Sequence, residues 1–359
     1  MAEIHLANVG HSYEKKPASL DDYAVRPMEM VWEDGGAYAL LGPSGCGKTT
    51  LLNIISGLLT PTQGRVLFDG QDVTHLPPEK RNIAQVFQFP VLYDTMTVFD
   101  NLAFPLRNRG VDESQVRRRV HEIAELLDLT RDLKRRASGL SADAKQKISL
   151  GRGLVRSDVA AILFDEPLTV IDPHMKWLLR SKLKEIHQQF RLTLIYVTHD
   201  QTEALTFADQ VVVMHEGAVV QIGTPQELFE KPRHTFVGYF IGSPGMNLIP
   251  VRLEGDALVT DSTPIPVDPA AIQRLSGREK LTVGIRPEFL GYSPAPQPNG
   301  VPARIQRVEN LGTFKIAVAQ VGEQTVKAKI PEKQPISPGD GWLIFPPEQT
   351  LLYQNDEMV

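Results

Sequence analysis

Apolar runs and helical stretches alternate in the N-terminal part of the chain. Residues 37–41 form an apolar run that ends in a glycine-rich turn, and residues 48–59 have the pattern of a helix. Three further apolar runs follow, at residues 159–164, 192–198 and 211–214. A long helical stretch, residues 173–190, separates the first two of these runs. Strands separated by helices predict a parallel sheet that is covered by helices on both faces.

Two other regions depart from this alternation. Between residues 89 and 155, apolar side chains recur at helical spacing, which predicts a helical insert. The recurring positions are Val116, Val120, Ile123 and Leu127. After about residue 242, proline, glycine and short β-type runs dominate, which predicts an all-β domain of the barrel type. We therefore expect an α/β domain over residues 1–240, with its helical part at about 89–155, and a β domain over residues 241–359.

Composition and charge narrow the class of protein. An apolar fraction of 42% and a charged fraction of 23% are those of a soluble globular protein, and 359 residues suit two domains. The net charge of −5, without a basic stripe, argues against nucleic acid as a partner. No apolar run reaches the roughly 18 residues that cross a membrane, and the first residues lack the pattern of a secretory signal. The single cysteine, Cys46, fits a reducing compartment, so we expect a cytoplasmic protein.

The turn after the first apolar run has the spacing of a phosphate-binding loop. Residues 42–49 fit G-x-x-x-x-G-K-[ST]. Glycines let consecutive backbone N–H groups turn toward one anion, and the helix that follows adds its positive end. We expect Lys48 to reach the β- and γ-phosphates of a nucleotide and the Thr49 hydroxyl to bind Mg²⁺. The predicted nucleotide contacts are Gly42, Pro43, Ser44, Gly45, Cys46, Gly47, Lys48, Thr49 and Thr50.

Two acidic residues, Asp165 and Glu166, directly follow the apolar run at 159–164. A carboxylate in this place can hold Mg²⁺, directly or through water, and the next one can polarise the attacking water as a general base. Taken alone, the pair could equally be the exposed end of a strand. The phosphate loop upstream favours the catalytic interpretation.

Gln88 and His199 are weaker signals by themselves. A glutamine that follows a short run such as residues 85–87 is often an exposed loop residue, and a histidine after an apolar strand is often structural. His199 nevertheless follows the carboxyl end of a predicted strand, which is where ligands bind in open α/β sheets. From there it could donate a hydrogen bond to a γ-phosphate.

The order and spacing of these residues resemble the ABC ATPase family. The residues that carry the resemblance are the phosphate loop, Gln88, Leu140-Ser141, Asp165-Glu166, Asp172 and His199. The resemblance implies an α/β P-loop NTPase fold with a helical insert, and ATP and Mg²⁺ as cofactors. It makes Gln88 the Q-loop residue that joins Mg²⁺ to the membrane subunit, Asp172 the D-loop aspartate within residues 168–172, and His199 the switch histidine. Tyr13 lies where the family stacks an aromatic ring on adenine, although a core or surface tyrosine remains the alternative.

Within that family the chain is similar to the ATPases of carbohydrate importers, such as those for maltose and glycerol-3-phosphate. The stretches that carry this similarity are residues 95–102, 240–244, 246–247 and 284–288. The similarity implies that the second domain is an OB-like β-barrel with a regulatory or dimerisation role. It also implies two transmembrane permease subunits, a solute-binding protein and a second ATPase subunit as partners, at the cytoplasmic face of the inner membrane. The solute would be a sugar, a polyol such as glycerol, or a related compound.

The chain departs from the family at the signature loop. The family has Leu-Ser-Gly-Gly-Gln, whereas this chain continues after Leu140 with Ser141, Ala142, Asp143 and Ala144. In the family this loop presents a helix N-terminus to the γ-phosphate held by the other subunit. We expect Asp143 to neutralise that positive end. An acid about 4 Å from a phosphate oxygen costs from ~1 kcal/mol in water to ~4 kcal/mol at intermediate dielectric, and Lys145 could offset part of this cost.

The altered signature predicts an asymmetric pair of ATPase subunits, in which a partner with an intact signature completes the site built on this chain. A working homodimer remains the alternative. A regulatory subunit that binds ATP without hydrolysing it is disfavoured, because Glu166 and His199 are both present. A soluble ABC protein of translation or DNA repair would have tandem ATPase domains or a long heptad insert, and an exporter would often have a fused membrane domain.

Two further expectations concern residues around the site. A helix N-terminus and Lys48 should lower the pKa of the Cys46 thiol, which would make Cys46 reactive and shielded by nucleotide, unless it is an inert filler of the loop.

Residues 89–93 are apolar although they follow the polar Gln88. An exposed apolar patch usually marks a partner, so we expect this segment to dock a helix of a membrane subunit unless it packs inward.

Overall fold

The structure is a computed structural model that describes residues 2–169, 171–277 and 280–359. Contacts within the chain group it into two units, Met1–Pro225 and Gln226–Val359. The sequence-based boundary between residues 240 and 241 stays a prediction. The helices of the chain are α1 (Lys48–Ser56), α2 (Pro78–Arg81), α3 (Val98–Arg107), α4 (Glu113–Leu126), α5 (Ala142–Leu154), α6 (Pro173–Phe190), α7 (Gln201–Phe207), α8 (Pro225–Glu230), α9 (Thr235–Phe240) and α10 (Pro269–Gln273).

The first unit contains ten strands in two sheets. These strands are β1 (Ile4–His11), β2 (Val25–Trp32), β3 (Ala37–Leu41), β4 (Gln63–Phe68), β5 (Gln71–Asp72), β6 (Ala84–Val86), β7 (Ile162–Asp165), β8 (Leu194–Thr198), β9 (Gln210–His215) and β10 (Ala218–Gly223). The larger sheet has the order β10-β9-β3-β8-β7-β6 and is parallel except for β10. The smaller sheet is antiparallel, in the order β2-β1-β4-β5.

The larger sheet confirms the predicted parallel sheet. Its central strands β3 and β8 are buried along their whole length, as expected of strands that are covered on both faces. The sequence pattern missed β6, which has three residues, and the antiparallel sheet, whose strands alternate buried and exposed positions. Parallel pairing of β3, β8 and β7 brings the residues that follow these three strands to one edge of the sheet.

Helices α3, α4 and α5 form the helical part of the first unit. Asp112 caps α4, because its side chain accepts a hydrogen bond from the N–H of Ser114. The apolar positions that predicted this helix, Val116, Val120, Ile123 and Leu127, are all buried. Ser141 caps α5 in the same way, through a hydrogen bond from the N–H of Ala144. The amphipathic pattern of this region therefore comes from a helix packed on its neighbours, as predicted.

The second unit is antiparallel β structure, which confirms the predicted all-β domain. Its strands are β11 (Asn247–Glu254), β12 (Ala257–Thr260), β13 (Thr263–Pro264), β14 (Leu281–Ile285), β15 (Gly291–Ser293), β16 (Gly300–Asn310), β17 (Phe314–Val321), β18 (Gln324–Pro331), β19 (Gly339–Ile344), β20 (Leu351–Gln354) and β21 (Glu357–Met358). They form a six-stranded sheet, β13-β12-β11-β14-β20-β21, and a five-stranded sheet, β15-β19-β16-β17-β18. Side chains from both sheets share one apolar core. None of the helices in the described parts of the chain has both the length and the apolar character that crossing a bilayer requires.

Candidate nucleotide site

The predicted phosphate loop joins β3 to α1. Gly45 and Gly47 have φ angles of 82° and 98°, in the left-handed region that favours glycine. A Cβ at Gly47 would lie 2.2 Å from the carbonyl oxygen of Ala24, and one at Gly42 would lie 2.3 Å from the carbonyl oxygen of Met214. The glycines are therefore required by backbone conformation and by close packing. The loop they form opens at the N-terminus of α1, where an anion is stabilised by free N–H groups.

Lys48, the first residue of α1, directs its side chain back into the loop. Its Nζ donates hydrogen bonds to the carbonyl oxygens of Gly42 and Pro43, each at 2.8 Å. The ammonium group is buried against the loop, so its charge acts at short range on whatever the loop binds. This is the placement expected of a lysine that contacts phosphate.

Thr49 and Asp165 meet at the end of the parallel sheet. The Thr49 hydroxyl donates to Oδ1 of Asp165 at 3.3 Å. Burial raises the pKa of the Asp165 carboxyl, and the hydrogen bond from Thr49 offsets part of that effect. A hydroxyl and a carboxylate side by side are oxygen ligands of the kind that Mg²⁺ prefers. Gln88, the third predicted metal ligand, lies just beyond β6 and is half-buried, and no side-chain hydrogen bond joins it to Thr49 or Asp165 in the described part of the chain.

Glu166 and His199 form a second pair at the same edge. Nδ1 of His199 lies 3.0 Å from Oε2 of Glu166, and the Thr169 hydroxyl donates to the same oxygen at 3.3 Å. Glu166 has a φ of 47°, which is uncommon for a residue with a side chain. Its N–H donates to the carbonyl oxygen of Val197 at 3.0 Å. The predicted base and the predicted switch histidine are therefore in direct contact.

Tyr13 stands beside the phosphate loop with 68% of its surface exposed. Its hydroxyl lies 3.2 Å from that of Thr50, and its ring meets the ring of His11 edge-on, with 4.7 Å between the centroids. An open groove of about 700 Å³ runs past Tyr13 and Gly45. An exposed aromatic face next to a phosphate loop offers a stacking surface for a base. Burial lowers the pKa of His11, so the ring behind Tyr13 is neutral near pH 7.

The altered signature lies at the start of α5, with Asp143 in its first turn and Ala142 and Ala144 on either side. Nζ of Lys147 lies 3.8 Å from Oδ2 of Asp143. Lys145, which was expected to offset the charge of Asp143, instead donates to the Asp94 carboxylate at 2.7 Å. Its ammonium group is therefore engaged by another acid, and the remaining compensation comes from the looser contact with Lys147.

The structure corrects the expectation for Cys46. Its side chain is 4% exposed, and burial raises the pKa of its thiol above the usual value. Lys48 lies close by, with 3.8 Å between Nζ and Sγ, and lowers that pKa only in part. Desolvation of the thiolate outweighs the nearby charge, so the reasoning that made Cys46 a reactive thiol was wrong.

Asp172 directly precedes α6, and its carboxylate accepts a hydrogen bond from the N–H of Met175 at 3.1 Å. Val170, within the predicted D-loop at 168–172, lies outside the described residues. The aspartate thus has a capping position at a helix start in this chain. Its predicted D-loop role concerns a second subunit.

The segment that follows Gln88 is largely exposed. Phe89 is 68% exposed and Val91 is 53% exposed. Tyr93 is partly covered, because its ring packs on Phe104 at 4.8 Å between centroids and beneath the guanidinium of Arg152. The segment is therefore anchored at Tyr93 and presents apolar side chains to solvent before it.

The sequence pattern assigned no site contact to three residues near these groups. They are His11 behind Tyr13, Thr169 beside Glu166, and Gln146 within α5. Thr169 lies within the predicted D-loop at 168–172 and three positions from Glu166, so proximity in sequence could have found its contact with Glu166. His11 and Gln146 are polar residues in otherwise ordinary stretches, and only the folded chain shows that they are buried.

Comparison with known proteins adds two family matches. Residues 25–169 match the family described as ABC transporter, and residues 242–290 match the MalK OB fold domain. The sn-glycerol-3-phosphate import ATP-binding protein UgpC of Bordetella pertussis is 38% identical over 353 residues, which are 96% of this chain and 94% of that relative. UgpC of Escherichia coli O157:H7 is also 38% identical, over 99% of each chain.

Solved structures agree in fold. The chain superposes on cbiO1 from Clostridium perfringens, part of the ABC transporter complex cbiONQ, with a TM-score of 0.58 and 26% identity, over 64% of this chain and 90% of that one. It also superposes on the ADP conformation of an ATP-binding cassette of an ABC transporter, with a TM-score of 0.55 and 24% identity, over 65% of this chain and 96% of that one. The second likeness shows the fold alone.

Proposed function

The chain belongs to the ABC transporter family of ATP-binding proteins, and we propose that it supplies ATP hydrolysis to a bacterial importer of a sugar, a polyol such as glycerol, or a related solute. Two side-chain contacts at one edge of the parallel sheet carry the proposal. Thr49 contacts Asp165, and Glu166 contacts His199. Both pairs stand beside the phosphate loop, at the ends of neighbouring parallel strands.

In this proposal each residue at the sheet edge has a separate task. The loop N–H groups and Lys48 hold the β- and γ-phosphates, and Tyr13 stacks on the adenine. Thr49 and Asp165 would hold Mg²⁺, and Gln88, which follows β6, would be a further ligand. When bound, the metal neutralises charge that builds up on the phosphates during transfer.

Glu166 and His199 would act on the water that attacks the γ-phosphate and on the γ-phosphate itself. The Glu166 carboxylate accepts the proton of the attacking water, so that the water oxygen bonds to phosphorus as the bond to ADP breaks. His199 donates a hydrogen bond to a γ-phosphate oxygen, and its contact with Glu166 holds the carboxylate in reach of the water. The products are ADP and phosphate.

The signature loop supports a second, finer proposal, that the subunit works beside a non-identical ATPase. ATP sites in this family form between two chains, so the signature of each chain faces the phosphates held by the other. The acidic first turn of α5 is a poor phosphate receptor, and the lysine that could correct it is bound to Asp94. A partner with an intact signature would complete the site built on Lys48, Asp165 and Glu166, while this chain would complete the partner's site poorly.

The proposed setting is the cytoplasmic face of the inner membrane, where the subunit would bind two permease subunits served by a solute-binding protein. The relatives are named for import of sn-glycerol-3-phosphate, which is a phosphorylated polyol, and this supports the proposed solute class. The second unit matches the MalK OB fold domain in part, and we propose for it a regulatory or dimerisation role.

The test is reconstitution of the transporter. The chain is co-expressed with the membrane subunits and binding protein of its own operon, and uptake of labelled glycerol, glycerol-3-phosphate and maltose is measured together with ATP hydrolysis. We expect uptake of one of these compounds, or of a close analogue, that stops when Glu166 is changed to Gln. Hydrolysis that proceeds unchanged in that variant, or uptake that does not depend on this subunit, would reject the proposal.

A further inference from the structure

Gln146 is a polar residue in the core of the first unit. It lies in the second turn of α5, and its exposed surface is 0%. A buried amide that lacks hydrogen-bond partners costs free energy, so a fully buried glutamine is expected to have a specific partner. The partners it has are backbone atoms next to residues of the proposed site.

The Nε2 group of Gln146 reaches two loops at once. It donates a hydrogen bond of 2.7 Å to the carbonyl oxygen of Pro167, the residue after Glu166. It also lies 3.5 Å from the carbonyl oxygen of Phe87, the residue before Gln88. The short bond fixes the loop of the proposed base, and the longer contact reaches the loop of the proposed metal ligand.

Glu166 needs such support because of its backbone. Its φ of 47° is unfavourable for a residue with a Cβ. Pro167, which follows it, also disfavours the right-handed helical conformation at Glu166. Conformations of this kind persist only where surrounding contacts hold them. On one side the N–H of Glu166 is bonded to the carbonyl of Val197, and on the other the carbonyl of Pro167 is bonded to Gln146.

The helix that carries Gln146 also carries the signature loop at its start. Ser141 caps α5 and Asp143 lies in its first turn, while Gln146 lies one turn further along. A displacement of α5 against the sheet would therefore pull on the backbone next to Glu166 through one side chain.

We propose that Gln146 is a positioning residue for ATP hydrolysis, which holds the Glu166 carboxylate in place against His199 and ties that loop to α5. This inference rests on the proposed ATPase function. In the described part of the chain the hydrogen bonds of Gln146 go to the carbonyl oxygens of Pro167 and Phe87 and not to the phosphate loop or the Glu166 side chain. Its effect is therefore on the rate of the chemical step and not on nucleotide affinity.

The two polar atoms of the Gln146 side-chain amide, Nε2 and Oε1, have different surroundings. Oε1 of Gln146 is buried without a hydrogen-bond partner in the described part of the chain, so only the Nε2 donor has a function to lose. Gln146→Met keeps the length and most of the volume of the side chain and removes the donor. We expect kcat for ATP hydrolysis in the assembled transporter to fall about 10- to 100-fold, since small displacements of a reacting group have effects of this size. The affinity for ATP should stay within about twofold of the wild type, because the phosphate loop is untouched.

Arg156 provides the matched control. It follows α5, is buried, and donates to the carbonyl oxygen of Ile83 at 3.0 Å and to Oδ1 of Asn82. It also pairs with Asp158, and in the described part of the chain none of these contacts reaches the carbonyl oxygen of Phe87 or of Pro167. Arg156→Met should lower the melting temperature at least as much as Gln146→Met and leave kcat within about threefold of the wild type. Gln146→Asn, whose amide is one methylene shorter, replaces Gln146→Met if that variant does not fold, with the same expected split between kcat and affinity.

Different results would overturn the positioning role of Gln146 and the proposed ATPase function. Hydrolysis by the wild-type complex with an unchanged kcat in Gln146→Met or Gln146→Asn overturns the positioning role and leaves the ATPase function intact. Equal losses of kcat in the Gln146 and Arg156 variants, or a loss of ATP affinity as large as the loss of kcat, also overturn it. A wild-type complex that does not hydrolyse ATP rejects the proposed function itself and this role with it.

Discussion

The imidazole of His199 and the carboxylate of Glu166 are in hydrogen-bonding contact, with 3.0 Å between Nδ1 and Oε2. Glu166 follows β7 and His199 follows β8, and these strands are parallel neighbours. We propose Glu166 as the general base, and this contact would hold its carboxylate beside the phosphate loop. A change at Glu166 should therefore affect turnover and not nucleotide binding, and these two properties can be measured independently.

The Glu166→Gln variant should bind ATP and fail to hydrolyse it. The amide keeps the shape of the side chain but cannot accept a proton, so turnover should fall about 10²- to 10⁴-fold, the usual contribution of a general base. Single-turnover hydrolysis and equilibrium ATP binding in the co-expressed complex measure the two effects. An ATP affinity that falls as far as the rate does would contradict the role of Glu166 as a base.

The Lys48→Ala variant should instead lose ATP binding. Lys48 is buried within the loop and its ammonium group lies at the loop carbonyls, so its removal should take away a positive charge that we propose contacts the phosphates. Fluorescent nucleotide titration of the purified variant tests this. Binding as tight as that of the wild type would mean that the loop N–H groups alone hold the nucleotide.

Cys46 should resist alkylation in the folded protein. It is buried, and burial raises the pKa of its thiol, so little thiolate is available near neutral pH. Because the pKa is raised, the rate of labelling should keep rising to a higher pH than that of a free thiol in solution. Labelling by N-ethylmaleimide, followed by mass spectrometry in native buffer and in denaturant, gives the comparison. Rapid labelling of the native protein at pH 7 that Mg-ATP blocks would restore the original expectation.

The sequence predicted those parts of the molecule that depend on local pattern. The runs at 37–41 and 192–198 became the buried strands β3 and β8, since a strand covered on both faces must be apolar throughout. The helical spacing of Val116 and Val120 placed the buried face of α4. The glycines and Lys48 formed a phosphate loop, because the motif encodes a backbone shape together with the position of a charge.

Contacts between segments that are distant in the sequence could not be predicted from local pattern. The three residues of β6 are too few to show a period, and they are a strand because β7 pairs with them. The hydrogen bond from Lys145 to Asp94 joins two segments that are far apart in the sequence, and no rule of residue spacing predicts it. The burial of Cys46 reversed the direction of its pKa shift, since the local charge of Lys48 is visible in the sequence and the desolvation is not.

The exposed segment after Gln88 should contact a membrane subunit. Phe89 and Val91 present apolar side chains to solvent, whereas Tyr93 is packed on Phe104. A photo-cross-linker at position 89 or 91 in the assembled transporter should therefore reach a permease subunit more efficiently than one at position 93. The control is a cross-linker at the exposed Leu311, in the second unit. Cross-links from 89 and 91 that reach no membrane subunit in a transporting complex would refute the docking surface.

Arg286 should be essential to the stability of the second unit. Its side chain is 2% exposed and donates to the carbonyl oxygens of Leu228, Phe229, Gly238 and Ile241. Burial lowers the pKa of Arg286 to about 10, so it remains charged at neutral pH. Arg286→Met would remove these hydrogen bonds, leaving the Gly238 carbonyl with the N–H of Met246, and should cost about 2–4 kcal/mol, seen as a lower melting temperature of the full chain. Arg252→Met, at an exposed position, is the control and should change stability by less than about 0.5 kcal/mol.

The last prediction concerns asymmetry between the two ATP sites. If both subunits were this chain, both sites would place Ala142 and Asp143 against phosphate, and both would be slow. With an intact partner, the site built on this chain's Lys48 and Glu166 is good and the other is poor. Glu166→Gln should then stop turnover of the complex, while the equivalent change in the partner should reduce it far less. The comparison is the ATPase rate of the co-expressed pair with either variant.

Restoring the family signature in this chain tests whether Asp143 would cause the proposed asymmetry. Asp143→Gly removes a carboxylate that lies in the first turn of α5, with Nζ of Lys147 3.8 Å away and Lys145 bonded to Asp94. Together with Ala142→Gly and Ala144→Gln, it should raise hydrolysis at the second site about 5- to 1,000-fold, the range set by ~1 to ~4 kcal/mol of removed repulsion. Transport need not rise, because one productive site can drive the cycle. The measurement is the rate in a background where the first site carries Glu166→Gln. Fast, cooperative hydrolysis by the isolated wild-type chain would show that Asp143 is harmless, and the asymmetric pair would have no basis.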